Sequence, residues 1–455
     1  MSLLRVVRRV LRLPALRPAL GLAVVLAACS PDAQRAGSGA TPADSAQTDS
    51  ATSATSARPA RTPRPDSVRA LYINAWAAGS YSRMAELLRI ADATEINAVI
   101  VDIKESDSFL TYSGTTIPLA KELGTDTRPA TNWLPALVDS LRAHDLYAIA
   151  RIVVFKDRLV AERKPELAIR HVNGGIWRDR KGLAWVNPYD RRIWDYNIAI
   201  AKEALAMGFG EVQWDYVRFP DVTDNMRKTM AFPGSDNRSR AENIGAFIRY
   251  SKEQLASFGV PIAADVFGLV AHLEGDVEIG QHWETVIREA DVVLPMTYPS
   301  HYYAGLYGFA RPGQHPYEIL RLAATDAAER TRFLADSAKV KVAEVMPWLE
   351  AMSIRGLSYG PAELRAQIQG VYDAGLKSWA LWNPGSKFAD FEPALRPAAG
   401  GPSPIERSGW TAPRWELPRE RLSTLTRKRD RAKLAATPAV GDSTRRSTPR
   451  PGASP

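Results

Sequence analysis

The segment 210–222, GEVQWDYVRFPDV, sets a carboxylate, Asp215, between Trp214 and Tyr216, with Arg218 just beyond and Pro220 ending the run. An acid and a base at the tip of an apolar strand, among flat rings, suit a ligand with both hydroxyls and C–H faces. The same grouping recurs along the chain. VIVDIK closes on Asp102 and Lys104, with Glu105 and Asp107 following, and Arg151 lies within YAIARIVVF, which runs out to Lys156 and Asp157. Asp265 sits in IAADVFG, Tyr298 and His301 in PMTYPSHYY, Glu344, Trp348 and Glu350 in VAEVMPWLE, and Trp382 and Asn383 in SWALWNP.

Strand alternation sharpens the pattern, because residues two apart share a face. Gln213, Asp215 and Val217 then lie together, opposite Val212, Trp214 and Tyr216. Asp102 is in phase with Lys104, and Arg151 with Phe155 and Asp157. If those faces point inward, acids from several strands meet Arg151 near one axis. Carboxylates forced together separate their pKa values, one ionised and one holding its proton. Glycosidic cleavage needs that division: an acid for the leaving oxygen and an anion as nucleophile or base. Trp76, Trp133, Trp177, Trp185, Trp214, Trp348 and Trp382 fall in or beside strand ends and loops, where ring faces can pack on sugar C–H groups. No Walker, CxxC or HExxH motif occurs, and the six His show no ligand spacing, so neither metal nor cofactor is expected.

The elements that must position these residues repeat as strand, loop, helix. Eight apolar runs read as buried parallel strands: RALYINAW, NAVIVDIK, YAIARIVVF, EVQWDYVRF, IAADVFG, DVVLPMTY, VKVAEVMPW and SWALWNP. Amphipathic stretches such as SRMAELLRIADAT, WLPALVDSLRAH, RRIWDYNIAIAKEALAMG, ENIGAFIRYSKEQLASFG and PAELRAQIQGVYDAG lie between them, several ending in Gly. The class is α/β, and eight such units over 67–398 predict a (β/α)8 TIM barrel. The competing open, doubly wound sheet calls for a Gly-rich turn after its first strand, which LYINAWAAGSYSRM lacks. A barrel acting on phosphorylated small molecules is disfavoured too, LWNPGSKF being a poor phosphate loop.

The ends read differently. Arg5, Arg8, Arg9, Arg12 and Arg17 precede LGLAVVLAA, too short an apolar run to span a bilayer, and the chain's single Cys, Cys29, follows. Leu26-Ala27-Ala28-Cys29 resembles a bacterial lipobox, so residues 1–29 are expected to be a lipoprotein signal ending at a lipidated Cys29. Export, membrane attachment through that lipid and a cell-envelope or periplasmic site follow, the outer membrane being favoured because Ser30 rather than Asp comes next. Residues 30–66, rich in Ser, Thr, Ala and Pro, read as a disordered tether, and 399–455 as a basic, Pro-rich disordered tail. The net charge of +9 belongs to these ends: nine Arg against four Asp over 1–66, and twelve Lys/Arg against five Asp/Glu over 401–455. The middle is thus −3, which argues against a nucleic-acid partner. A monomer is expected.

The segments QWDYVRFP, ADVFG, VLPMTYPSHYY, MPWLE, LWNPGS and VIVDIKESD together resemble a bacterial family of glycoside-hydrolase-like domains of unknown function, over roughly 68–390. That family is similar to the (β/α)8 glycosidases of the α-galactosidase and α-amylase types. The resemblance implies that Asp215, ending the fourth strand, is the nucleophile or principal carboxylate, and that Arg218 positions a substrate hydroxyl or holds Asp215 ionised. Relatives often take the general acid from a later strand, but the sixth here offers Tyr298 and His301 and no acid. Asp265 is the first choice of partner, with Asp102, Asp157 and Glu350 behind it. Lys104, Arg151, Trp214, Tyr216, Tyr298, His301, Trp348, Trp382 and Asn383 complete the expected carbohydrate contacts. The expected activity is cleavage of a poly- or oligosaccharide, the alternative a glycan-binding lipoprotein without catalysis.

Overall fold

A computed structural model describes residues 60–396; Cys29, most of the expected tether and the basic tail lie outside them. Eight parallel strands close into a barrel: β1 (Arg69–Ile73), β2 (Ala98–Lys104), β3 (Tyr147–Val153), β4 (Glu211–Asp215), β5 (Ile262–Phe267), β6 (Val292–Met296), β7 (Glu344–Val345 and Trp348–Glu350) and β8 (Trp379–Trp382). Each pairs with its successor, and β8 returns to β1 with Arg69 opposite Trp379, so no edge is left to aggregate. Pro347, which has no N–H to donate, interrupts β7. Pairing resumes above it, where Trp348 meets Met296.

A helix follows every strand: α1 (Tyr81–Asp92), α2 (Leu134–Ala143), α3 (Arg191–Ala206), α4 (Arg240–Leu255), α5 (Trp283–Glu289), α6 (Pro316–Ala338), α7 (Pro361–Asp373) and α8 (Glu392–Leu395). Their sequences start and orient them. Ser80 caps α1, whose Met84, Leu87, Ile90 and Ala91 form the buried stripe, and a Ser239–Glu242 capping box opens α4. Among the described residues no helix is long and apolar enough to cross a membrane.

Alternation along the strands divides the apolar side chains into two cores. Val99, Val101, Ile103, Ala148, Ala150, Ile152, Val212 and Trp214 point outward and pack beneath the helices. Ala98, Ile100, Ile149, Ala263, Leu294, Met346 and Ala380 fill the barrel interior. Full burial stabilises the fold by about 1.5–3 kcal/mol for each large aliphatic side chain. Above the inner plug, towards the carboxyl ends of the strands, the inward row turns polar.

The floor is sealed by charge. Glu211, at the start of β4, accepts from Arg64 Nε at 2.9 Å, while Arg64 Nη2 lies 2.9 Å from Glu344 at the start of β7. Arg61 donates to the carbonyls of Leu205 and Phe258 at 3.0 and 3.1 Å. The tether expected over 30–66 is therefore too long at its carboxyl end, since these two arginines dock on the barrel. At the other limit of the described residues Glu95 N donates to Leu395 O at 2.9 Å, also beneath the strands.

Candidate active site

Four consecutive strands deliver one ion-pair cluster. Asp102 of β2, Arg151 of β3, and Asp215 of β4 stand on inward rows fixed by the registers Asp102↔Arg151 and Val153↔Asp215; β5 adds Asp265. Arg151 is the hub. Its Nη1 donates to Asp102, its Nη2 to Asp215 Oδ2, and its Nε lies 3.9 Å from Asp265 Oδ2. Burial works against the guanidinium charge, but Asp102 and Asp215 raise the Arg151 pKa well above its ordinary value. Tyr72 of β1 donates its hydroxyl to the second oxygen of Asp102.

Asp215 and Asp265 stand in different surroundings. Both oxygens of Asp215 accept: Oδ2 from Arg151, and Oδ1 from the backbone N–H of Tyr216 at 2.6 Å. That short turn forces Tyr216 to φ 49°, a left-handed conformation uncommon for an aromatic residue and frequent at functional sites. Asp265 is only 2% exposed, and its Oδ1 accepts from Gln213 Nε2 and Trp348 Nε1, each at 2.7 Å. Its Oδ2 accepts no hydrogen bond among the described residues and can carry a proton. Burial first, and the neighbouring charge of Asp215 second, push Asp265 well above the carboxylate range, against the pull of Arg151. One acid arranged as acceptor beside one holding its proton is the pairing that acid-assisted displacement uses.

Both acids line a cavity of about 130 Å³. Its walls include Tyr298, Trp348 and Trp382 on one side and Tyr216 and Phe267 on the other, with Met296 between. Tyr72, Trp382 and Tyr298 form a run of rings, with centroids 4.3 and 6.4 Å apart. Burial and the nearby acids raise Tyr298 far above the usual phenol value, keeping its hydroxyl a donor. Such walls suit a ligand with apolar faces and hydroxyl edges.

Other expected contacts fall elsewhere. The register slips between Asp102 and Lys104, so Lys104 pairs with the outward Ile152 instead of sharing the inner face of Asp102. It is fully buried, 2.7 Å from Asp157 and 5.1 Å from the Tyr196 ring centroid. Asp157 also caps the helix that begins at Arg158, because β3 ends at Val153 and alternation stops there. Trp214 points outward and donates to Ser251 Oγ at 3.0 Å. Glu350 is buried and accepts from the N–H and Oγ of Ser300, and Asn383 ties down its own loop through Ala351 O and Lys387 O. His301, at the rim, lies edge-on to Tyr298 at 5.3 Å. Arg218 makes no ion pair with Asp215; Arg151 does. Four positions were missed. Tyr72, Gln213, Phe267 and Met296 all lie on inward rows that parity alone identifies.

Comparisons with known proteins agree with this architecture. The profile of the family described as "Putative glycosyl hydrolase domain" matches residues 70–388. The chain belongs to that family. Among solved structures, a hypothetical protein from Ruminiclostridium thermocellum ATCC 27405 is 39% identical, over 43% of this chain and 97% of that one, with a TM-score of 0.40. The PgaB (BpsB) glycoside hydrolase domain from Bordetella bronchiseptica is 11% identical over 72% of this chain and 98% of that one, with a TM-score of 0.54, a likeness of fold. No curated protein matches the sequence. Among the described residues no three His, Cys, Asp or Glu are grouped to hold a metal ion.

Proposed function

We propose that the barrel hydrolyses a glycosidic bond of an oligo- or polysaccharide, with Asp215 and Asp265 as the reacting pair. The observation that carries this reading is that both acids open on one cavity in opposite environments. Asp265 donates its Oδ2 proton to the glycosidic oxygen as the bond from the anomeric carbon breaks. Asp215, acceptor-only and facing the developing positive charge, attacks the anomeric carbon or takes a proton from the attacking water. Arg151 holds Asp215 in place, and the Tyr298–Trp382 wall supports the sugar ring. Membership of the family supports the reaction class.

The test measures new reducing ends from a panel of cell-wall, exopolysaccharide and plant oligosaccharides. Wild type should release them, and D215N should not, while still folding and binding the same glycan. Release by D215N at the wild-type rate would remove Asp215 from the reaction. A second reading, binding without cleavage, is favoured by one observation: beyond β6 the cavity carries Tyr298 and no acid. It expects saturable binding and no new ends even from wild type. For location we propose attachment to the cell envelope through a lipid on Cys29, a reading supported by LAAC and the arginines before it. Labelling of the chain by an alkynyl fatty acid, lost in C29S, tests it.

A further inference from the structure

Four arginines are buried among the described residues: Arg151, Arg218, Arg330 and Arg365. Three have carboxylates. Arg151 has Asp102 and Asp215, Arg330 has Glu284 at 2.6 Å, and Arg365 has Glu95 at 3.2 Å. Arg218 has none within ion-pair distance among the described residues, although it is only 8% exposed and lines the same cavity as Asp215 and Asp265. Its Nη1 donates to Phe219 O at 2.9 Å, leaving Nε and Nη2 without a protein acceptor there.

The surroundings hold this cation rather than neutralise it. The guanidinium carbon lies 5.2, 4.8 and 4.6 Å from the ring centroids of Trp185, Tyr216 and Phe267. Ring faces attract a cation, yet they accept none of its directed hydrogen bonds. The nearby Asp179 is already committed to Trp185 Nε1, Lys181 N and Leu183 N. Tyr216 has a second cation against it. Lys156 Nζ is 4.5 Å from that ring's centroid and donates to its hydroxyl at 3.2 Å, and it too has no ion pair among the described residues. Burial lowers the Arg218 pKa, against the pull of Asp215 and Asp221, neither of which reaches ion-pair distance. A buried, unpaired guanidinium is costly, and one aimed into a cavity gains its partner when an anionic ligand enters.

We infer that the sugar bound beside Asp215 and Asp265 is acidic, and that Arg218 receives its carboxylate, with Lys156 adding charge at the rim. This rests on the glycosidase reading of the cavity and adds a substrate class to it: glycans containing uronic acids. The guanidinium fork matches a carboxylate by two parallel N–H···O bonds, which a neutral hydroxymethyl group cannot accept.

The test separates the two readings by measuring binding apart from cleavage. Full-length D265N is titrated calorimetrically with oligomers of galacturonate, glucuronate and mannuronate, and with the methyl esters of each, which keep the shape and remove the charge. At least one free acid should bind about 10- to 100-fold more tightly than its ester, with the advantage shrinking as salt is raised. R218M should abolish that preference, R218K should retain part of it, and K156M should reduce it less. If R218M does not fold, the acid–ester ratio of the parent decides alone. Equal binding of every acid and its ester, or no binding of any acid, overturns the inference. A preference that survives in folded R218M overturns it as well. A sulfated neutral oligosaccharide that binds while all the uronates fail would overturn the carboxylate assignment. Wild type cleaving neutral glycans without acid preference would sink this inference and leave the glycosidase reading intact. Acid-selective binding without any cleavage would do the reverse.

Discussion

The two ends of one strand invite comparison. β4 carries Glu211 at its start and Asp215 at its finish on the same inward row, and each meets an arginine, Arg64 below and Arg151 above. Burial, followed by the charge of Glu344, raises the Glu211 pKa to about 7 against the pull of Arg64. By titration alone Glu211 is as good a general acid as any residue in the barrel. It is nonetheless sealed in the floor above Arg64, with Tyr147 donating to it at 3.3 Å, whereas Asp215 opens on a cavity walled by rings. A shifted pKa thus marks a buried charge. It marks a reactive one only where a substrate can reach it.

The comparison can be broken at either end. The largest effect is expected from D215N, which should lower kcat by at least about 10³-fold while leaving thermal stability within a few degrees. E211Q should leave kcat within about twofold; a comparable loss there would put the chemistry at the wrong end of the barrel. D265N comes next, with a loss of about 10²–10⁴-fold. That loss should shrink for aryl glycosides whose leaving group needs no proton, and rates on a series of phenols of falling pKa check it.

A pH profile sharpens the contrast further. A raised pKa at Asp265 keeps its proton above the usual carboxylate range, so kcat/KM should decline only as pH climbs through that raised value, and this alkaline limb should vanish in D265N. The smallest effect lies at the floor. The folded pKa of Glu211 is above its unfolded one, so its contribution to stability is complete below the unfolded pKa and is lost as pH rises through about 7. E211Q should therefore gain on wild type by up to about 3 kcal/mol between pH 4.5 and pH 8, measured by denaturant melts.

Much of this was legible in the chain. Eight apolar runs and the intervening amphipathic segments specified the barrel, and alternation grouped Asp102, Arg151 and Asp215 on the faces that turn inward. The errors came where parity ends. Lys104 was read as a neighbour of Asp102, but a slip in register turns it outward, and no residue type announces the slip. Asp157 was carried past the end of β3 on an alternation that the backbone had already abandoned. Of the two roles expected of Arg218, holding Asp215 ionised falls instead to Arg151 on the adjoining strand. Which guanidinium meets which carboxylate is set by tertiary packing, and sequence proximity was a poor guide to it.

Arg61, Arg64 and the contact of Glu95 with Leu395 put both limits of the described chain beneath the strands, on the side away from the cavity. Anything joined to the barrel at residue 60 or 396, such as a dye, a bead or a second domain, is coupled through its base. Immobilising the protein from that side presents its opening to the bulk liquid.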